Sequence, residues 1–190
     1  MCLRKLIEND LPLILTWRNN PDVRRFMYNN HAITKDEHQE WFARMEQNPQ
    51  SLWYIHEDQK GNPDGVVYFT QYQIEKKNAF WGFYAAPSAS AGTGIRLGLD
   101  ALNEAFDVLR LHKLNTEVLS ANERSLRFHN KLGFRSEGIF RDSHFDGENY
   151  INIIRYGILQ SEWPEKRPDV EQRIAKLEGI ANTISSGREG

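Results

Sequence analysis

The chain has 190 residues, 39% hydrophobic and 26% charged, with a formal net charge of −2. That suffices for one domain with a real core, is short for two, and provides no broad basic field for nucleic acid. The one cysteine, Cys2, excludes an internal disulfide and fits a reducing compartment; with histidines at no useful spacing, no metal site is expected.

No run is long and apolar enough to span a bilayer, and Met1–Lys5 opens no signal core, so the expected location is the cytoplasm, without a membrane partner. Leu3 to Ile7 reads as a short first strand. Asn9 or Asp10 can cap a following helix with Pro12 in its first turn and Leu13, Ile14 and Trp17 on one face; Pro21 and Asp22 interrupt it. Thr34-Lys35-Asp36-Glu37 reads as a capping box, and His38, Trp41, Phe42 and Met45 then recur at helical spacing.

The period changes in the middle of the chain. Leu52 to His56, Gly65 to Gln71 and Ala79 to Ala85 read as three strands of an antiparallel meander, joined by turns at Lys60–Pro63 and Glu75–Asn78. A small-residue segment, Ser88 to Gly94, leads into a helix from about Ile95 to Leu111. Its wide apolar band (Ile95, Leu99, Leu102, Phe106, Leu109) suits helix-on-sheet packing. Leu114 to Leu119 is the next strand. Asn122 caps a helix that stops at Gly133, and Asp146-Gly147 turns a final hairpin between Asp142–Phe145 and Tyr150–Ile158.

This order, β-α-α-β-β-β-α-β-α-β-β, predicts an α/β (α+β) domain over residues 1–160: a mixed, mostly antiparallel sheet with helices on both faces. Residues 161–190 read as a polar tail in which Val170, Ile174, Leu177 and Ala181 can line one helix, with fraying from Ile184.

Two segments carry chemistry. In Ala85-Ala86-Pro87-Ser88-Ala89-Ser90-Ala91-Gly92-Thr93-Gly94-Ile95 a strand enters a small-residue turn that opens a long helix. Helix N-termini present unpaired N–H groups that bind phosphates, and glycines allow close backbone approach. A dinucleotide fingerprint would need a small residue where Leu97 stands, and a P-loop would need Gly-Lys-Ser/Thr. The second segment runs from Asn122 through Ser125 and His129 to Gly133-Phe134. A capped helix with a glycine stop would explain Asn122 and Gly133 alone; the spacing between the two segments lifts both above that.

Together they resemble the GNAT superfamily of N-acetyltransferases, over roughly residues 3 to 159. The resemblance implies acetyl-CoA as cosubstrate, its pyrophosphate on the Gly-rich turn and its pantetheine between splayed fourth and fifth strands. The implied contacts are Ala85, Ala86, Ala91, Gly92, Thr93, Gly94, Ile95, Asn122 and Ser125. Two positions depart from the pattern. Ala89 stands where the family has Gln or Arg, and His129 stands where many members carry the tyrosine that protonates the departing thiolate. A thiol has a pKa near ~8.5, so the thiolate gains from a donor, and histidine can donate at neutral pH. A histidine favourable at a helix C-terminus explains His129 equally well. Direct transfer needs an oxyanion site, expected at backbone N–H groups near Tyr84 or Ala85; by position, Glu37 or His38 would serve as the base.

A narrower resemblance lies in Trp17-Arg18-Asn19, Pro21, Val23-Arg24, Phe26-Met27 and Glu37-His38-x-x-Trp41-Phe42, with Gly157-Ile158-Leu159 and Glu162-Trp163. These segments are similar to the sugar N-acetyltransferases of the pseudaminic acid pathway. They imply a UDP-linked 4-amino-4,6-dideoxy sugar as acceptor; Arg18, Asn19, Arg24, His38, Trp41 and Trp81 are the candidate residues to hold it, and a homodimer is a candidate assembly that the sequence leaves open. A protein N-terminal acetyltransferase and a non-catalytic acyl-CoA sensor are the alternatives on the same fold.

Overall fold

The structure, a computed structural model, describes residues 3–186, with side chains described as far as Gly179. Cys2 and the last four residues of the tail lie outside the described residues, as do the side chains of Ala181 and Ile184.

Strand β1 is Leu3–Lys5, shorter than expected, because Ile7 is drawn into a tight turn over Glu8–Asp10. The Asp10 carboxylate accepts the Ile7 N–H at 3.0 Å and meets the Arg4 guanidinium at 2.8 Å. Helix α1 spans Leu11–Asn19. The expected interruption at Pro21 is a separate helical turn, α2 (Pro21–Arg24), started by the Asn20 side chain accepting the Asp22 N–H at 2.9 Å. Helix α3 (Lys35–Glu46) has both bonds of the capping box: Thr34 Oγ1 accepts the Glu37 N–H at 3.2 Å, and the Glu37 carboxylate accepts the Thr34 N–H at 2.7 Å.

The meander is β2 (Leu52–Glu57), β3 (Pro63–Gln73) and β4 (Asn78–Ala85). Helix α4 runs Thr93–Asn103 and continues through a π-type stretch at Glu104–Val108. It starts two residues before the expected Ile95 because Gly92 supplies a left-handed cap. Then follow β5 (Lys113–Leu119), α5 (Glu123–Leu132), β6 (Arg135–Phe145), β7 (Tyr150–Leu159) and α6 (Trp163–Ser186). The final turn is stabilised by Asp146, whose carboxylate accepts the N–H groups of Glu148 and Asn149, both at 2.8 Å.

The seven strands form one sheet, ordered β1-β2-β3-β4-β5-β7-β6. All pairs are antiparallel except β4 with β5, which pair in parallel only over Asn78–Phe80 against Lys113–Asn115. Beyond Phe80 the two strands part. The Asn115 amide, buried where they separate, donates to the Ala79 carbonyl at 3.0 Å.

Each face of the sheet is covered, as the alternation along β2 to β4 requires. One face packs Val67, Phe69 and Trp81 against Leu97, Ala101 and Leu102 of α4 and Leu132 of α5. The other packs Ile55, Val66 and Tyr84 against Ile14 and Trp17 of α1 and Phe42 of α3. Residues beyond 160 do not hang free: Trp163, Val170 and Ile174 of α6 are buried in the first of these cores.

Candidate active site

Where β4 and β5 part, a cleft of about 1330 Å³ opens, walled by Trp81 to Ala85 on one side and Thr116 to Leu119 on the other. The β4 edge that faces β5 has no strand partner there, so its backbone N–H and C=O groups can hold an extended chain by strand-like pairing. The Gly92–Gly94 turn closes one end of this cleft, and the start of α5 lies across from it. Gly92 takes φ +88° as the cap of α4. A Cβ on Gly94 would meet nothing within 4 Å, so a ligand can approach the start of α4 there; the N–H groups of Thr93, Ile95 and Arg96 already donate to the Ser90 and Gly92 carbonyls, which leaves Gly94 as the point of approach.

Of the residues expected to hold acetyl-CoA, eight line the cleft: Ala85, Ala86, Ala91, Gly92, Thr93, Gly94, Asn122 and Ser125. Ile95 does not; it packs against the α4 side of the core, because helical rotation turns it away from the turn it follows. Thr93 lines the cleft but is only 1% exposed. Its side chain is buried and donates to Asp64 Oδ2 at 3.1 Å. Asn122 also has a local task, accepting the Ser125 N–H at 3.1 Å to cap α5.

His129 departs from the expected proton donor. It is 2% exposed and boxed by the rings of Trp81, Phe83, Phe128, Phe134 and Tyr156, with centroids 5.2–6.0 Å away. Its Nδ1 lies 2.8 Å from the Ser125 carbonyl, an acceptor, so Nδ1 carries the proton and Nε2 is a bare lone pair with no partner. Burial pulls its pKa down to about 4, against the smaller opposing effect of the Ser125 bond. At neutral pH this imidazole has no proton to give at Nε2.

A second cleft, about 510 Å³, lies on the α1–α3 face and shares Met27, Tyr68 and Tyr84 with the first. Its wall is aromatic. His38 stacks on Trp41 at 5.1 Å, Trp41 meets Trp53 edge-on at 4.7 Å, and Trp53 stacks on Tyr68 at 4.2 Å. Burial lowers the His38 pKa, helped by the nearby Arg18 charge, so this ring is neutral at pH 7. Arg18 lines the cleft half-buried; one end of its guanidinium donates to the Asn29 carbonyl, and Nη1 is buried with no partner.

The other expected acceptor residues separate. Asn19 is fully engaged, exchanging two bonds of 2.8 Å with the backbone of Ile33, and so holds the loop before α3. Arg24 lines neither cleft; its neighbour Arg25 lines the larger one. Trp81 sits on the opposite sheet face, lining the strand gap above His129, because it is one residue out of phase with Gly82 and Tyr68. Glu37 stands at the rim of the acceptor cleft, where the Thr34 N–H and then His31 hold its carboxylate below the ordinary range, which weakens it as a base. Tyr84 lies between the clefts, its pKa pushed up by burial, so it stays protonated.

One participant was not expected. Tyr68 lies flat across Gly82, where a Cβ would fall 2.2 Å from its ring, and so forms the junction of the two clefts. The signal was a glycine inside an aromatic strand, which marks a close approach. Tyr28 donates to Glu117 of β5 at 2.8 Å, tying the loop after α2 to the far side of the gap. Among the described residues no group of side chains could hold a metal ion, and no helix is long and apolar enough to cross a membrane.

A sheet parted between its central parallel strands, with a glycine turn at one end of the gap and an aromatic cleft beside it, is the frame of an acyl-CoA-dependent acyltransferase. The chain belongs to the GNAT acetyltransferase family, whose domain model matches residues 1–135. It is an N-acetyltransferase that uses acetyl-CoA. It is similar to spermidine N(1)-acetyltransferase of Vibrio cholerae, 24% identical over 86% of this chain and 95% of that protein. It is also similar to acetyltransferase PseH of Campylobacter jejuni, 28% identical over 68% of this chain and 80% of that protein. Among solved structures, the Vibrio cholerae spermidine N-acetyltransferase in complex with CoA and spermine superposes with TM-score 0.79, at 25% identity over 85% of this chain and 96% of that one.

Proposed function

We propose that the acceptor is a nucleotide-activated amino sugar, a UDP-linked 4-amino-4,6-dideoxy sugar of the pseudaminic acid type. The observation that carries this reading is Arg18: a half-buried cation whose buried Nη1 has no partner, set in an aromatic cleft whose carboxylates are already engaged. Glu37 serves Thr34 and His31, and Glu40 pairs with Arg44 at 3.6 Å. A polycation would need unpaired carboxylates at this place, whereas a diphosphate would be met by the guanidinium. The rings of Trp41, Trp53 and Tyr68 offer flat faces to a pyranose or uracil. The similarity to PseH supports the same class.

The pantetheine arm would lie along the open edge of β4, with its pyrophosphate on the Gly92–Gly94 turn. The neutral amine attacks the thioester carbonyl from the acceptor cleft, and a backbone N–H near Tyr84 or Ala85 receives the developing oxyanion. The C–S bond then breaks, and the proton released by nitrogen ends on sulfur through solvent. A sugar amine deprotonates more readily than a lysine, so no strong protein base is required.

A polyamine is the second reading, favoured by the similarity to the spermidine enzyme along nearly its whole length. We also propose self-association through β6, an exposed edge strand with Ile139, Phe140 and Phe145 on its surface; one structure of the Vibrio cholerae spermidine enzyme is a dodecamer.

Acetyl-CoA consumption measured with UDP-amino-sugars, spermidine and N-terminal peptides separates the readings. Turnover of the UDP-amino-sugar, with KM raised at least ~10-fold by Arg18→Gln and acetyl-CoA affinity unchanged, is the expected result. Efficient acetylation of spermidine with no response to the sugars would refute it.

A further inference from the structure

A buried polar chain runs inward from Thr93 of the Gly92–Gly94 turn to Asp64, His56 and Asp100, which line neither cleft. Thr93 Oγ1 donates to Asp64 Oδ2 at 3.1 Å. Asp64 Oδ1 makes a short contact with His56 Nδ1, and His56 Nε2 is 3.3 Å from Asp100 Oδ2. Thr93 and His56 are each 1% exposed and Asp64 is 8% exposed. The chain thus joins β2 (His56), β3 (Asp64) and α4 (Thr93 and Asp100). Asp64 acts twice, because its backbone carbonyl also accepts the Ala86 N–H at 2.8 Å. One residue therefore holds both ends of the segment from Ala86 to Thr93.

Burying the Asp64 carboxylate, with the partly exposed Asp100 carboxylate close by, is costly unless a cation sits between them. Among the described residues His56 lies between Asp64 and Asp100: Nδ1 hydrogen-bonds Asp64, whereas Nε2 faces Asp100 at 3.3 Å at ion-pair distance without hydrogen-bond geometry, so a proton on each nitrogen places a cation between the two carboxylates. The ionisable groups facing the ring are Asp64 from β3 and Asp100 from α4, while β1 places Leu3 opposite it in register. On the outer side, Arg96 reaches Thr93 Oγ1 at 3.4 Å and meets Glu178 of α6 at 3.9 Å.

We propose that His56 and Asp64 are positioning residues for the acetyl-CoA loop: a protonated His56, gripped between Asp64 and Asp100, fixes Asp64, which fixes Thr93 and sets the Gly94 end of α4 against the cofactor phosphates. This rests on placing the pyrophosphate at the Gly92–Gly94 turn. Burial opposes the charge on His56, but the Asp100 and Asp64 carboxylates outweigh burial and raise its pKa. A raised histidine pKa keeps the grip complete below the ordinary value of 6.5 and loses it as pH rises through the raised value. Acetyl-CoA affinity should follow, with an alkaline decline that belongs to the protein.

The test is calorimetric titration of acetyl-CoA into the full chain, wild type and variants, from pH 6 to 10, with thermal melts to establish folding. His56→Gln should weaken binding about tenfold at pH 7 and abolish the alkaline decline, while kcat and acceptor KM stay within about twofold. Thr93→Val, which deletes only the hydroxyl, should weaken binding similarly, and Thr93→Ser should restore it; these carry the test if His56→Gln does not fold. Wild-type affinity in folded Thr93→Val, or a Thr93→Ser variant as weak as Thr93→Val, overturns the proposal. Gly94→Val, which fills open space beside the turn, separates the two claims. If it abolishes binding while Thr93→Val binds normally, the turn is the site and the relay has no role. If it binds normally, the placement of the pyrophosphate falls, and the relay with it.

Discussion

His129 shows how a residue in a familiar position can have its chemistry reversed by what surrounds it. Five rings remove water, and the Ser125 carbonyl fixes the tautomer. A folded-state pKa of about 4 against an ordinary 6.5 means that the unfolded chain binds the proton first as pH falls. Stability is therefore complete above the ordinary value and is lost on acidification from about 6.5 down to 4, by about 3 kcal/mol at most. We expect thermal melts of His129→Phe to lack this acid-side loss, and its turnover at neutral pH to stay within severalfold of wild type. A drop of about 10²-fold in kcat in the folded variant would restore the proton-donor role.

At this same scale the sequence told residue types but not their partners. Gly92, Asn122 and Gly133 were legible because caps and left-handed turns restrict the residue allowed. Tyr68, Asn19 and Arg24 were not, because rotation about a helix or strand by one residue decides which cleft a side chain meets.

Among the elements, the two-residue and 3.6-residue periods marked nearly every strand and helix. They did not reveal that α2 is separate from α1, since a four-residue helix has no period to read. Nor did they reveal where α6 docks, since an apolar stripe names the buried face and not what covers it. Helix α3 offers a test that belongs to a single element. Its capping box is the junction between the loop carrying Tyr28 and the wall carrying His38 and Trp41. Thr34→Ala should cost about 1 kcal/mol of stability by denaturant titration and raise the acceptor KM. Acetyl-CoA affinity should not change, because α3 packs on the sheet face opposite α4; a parallel loss of both affinities would contradict this division of labour.

For the whole molecule, the exposed edge is the feature to test. Strand β6 is eleven residues long and exposed along nearly all of it, a ready template for pairing. Sedimentation should report a species larger than the 22.2 kDa monomer. Ile139→Lys with Phe140→Lys should reduce it to the monomer; a wild-type monomer at high concentration would exclude self-association.

Three pairs of residues are all that join β4 to β5. Mechanically, the sheet is two plates, β1 to β4 and β5 to β7, with a hinge at Asn78–Phe80 and Lys113–Asn115. With the pantetheine placed in the gap as proposed, it would act as a temporary strand, and the acyl donor would be a structural member as well as a reactant. At a concentration 100 times its dissociation constant, a ligand of the folded state adds about 2.7 kcal/mol to stability. Amide exchange should slow most at Trp81–Ala85 and Thr116–Leu119, whose facing edges have no partner in the free protein. After transfer, the released CoA would still bridge the plates, so separation of the product would require the hinge to relax. That would place opening of the sheet, rather than bond chemistry, on the path that limits turnover.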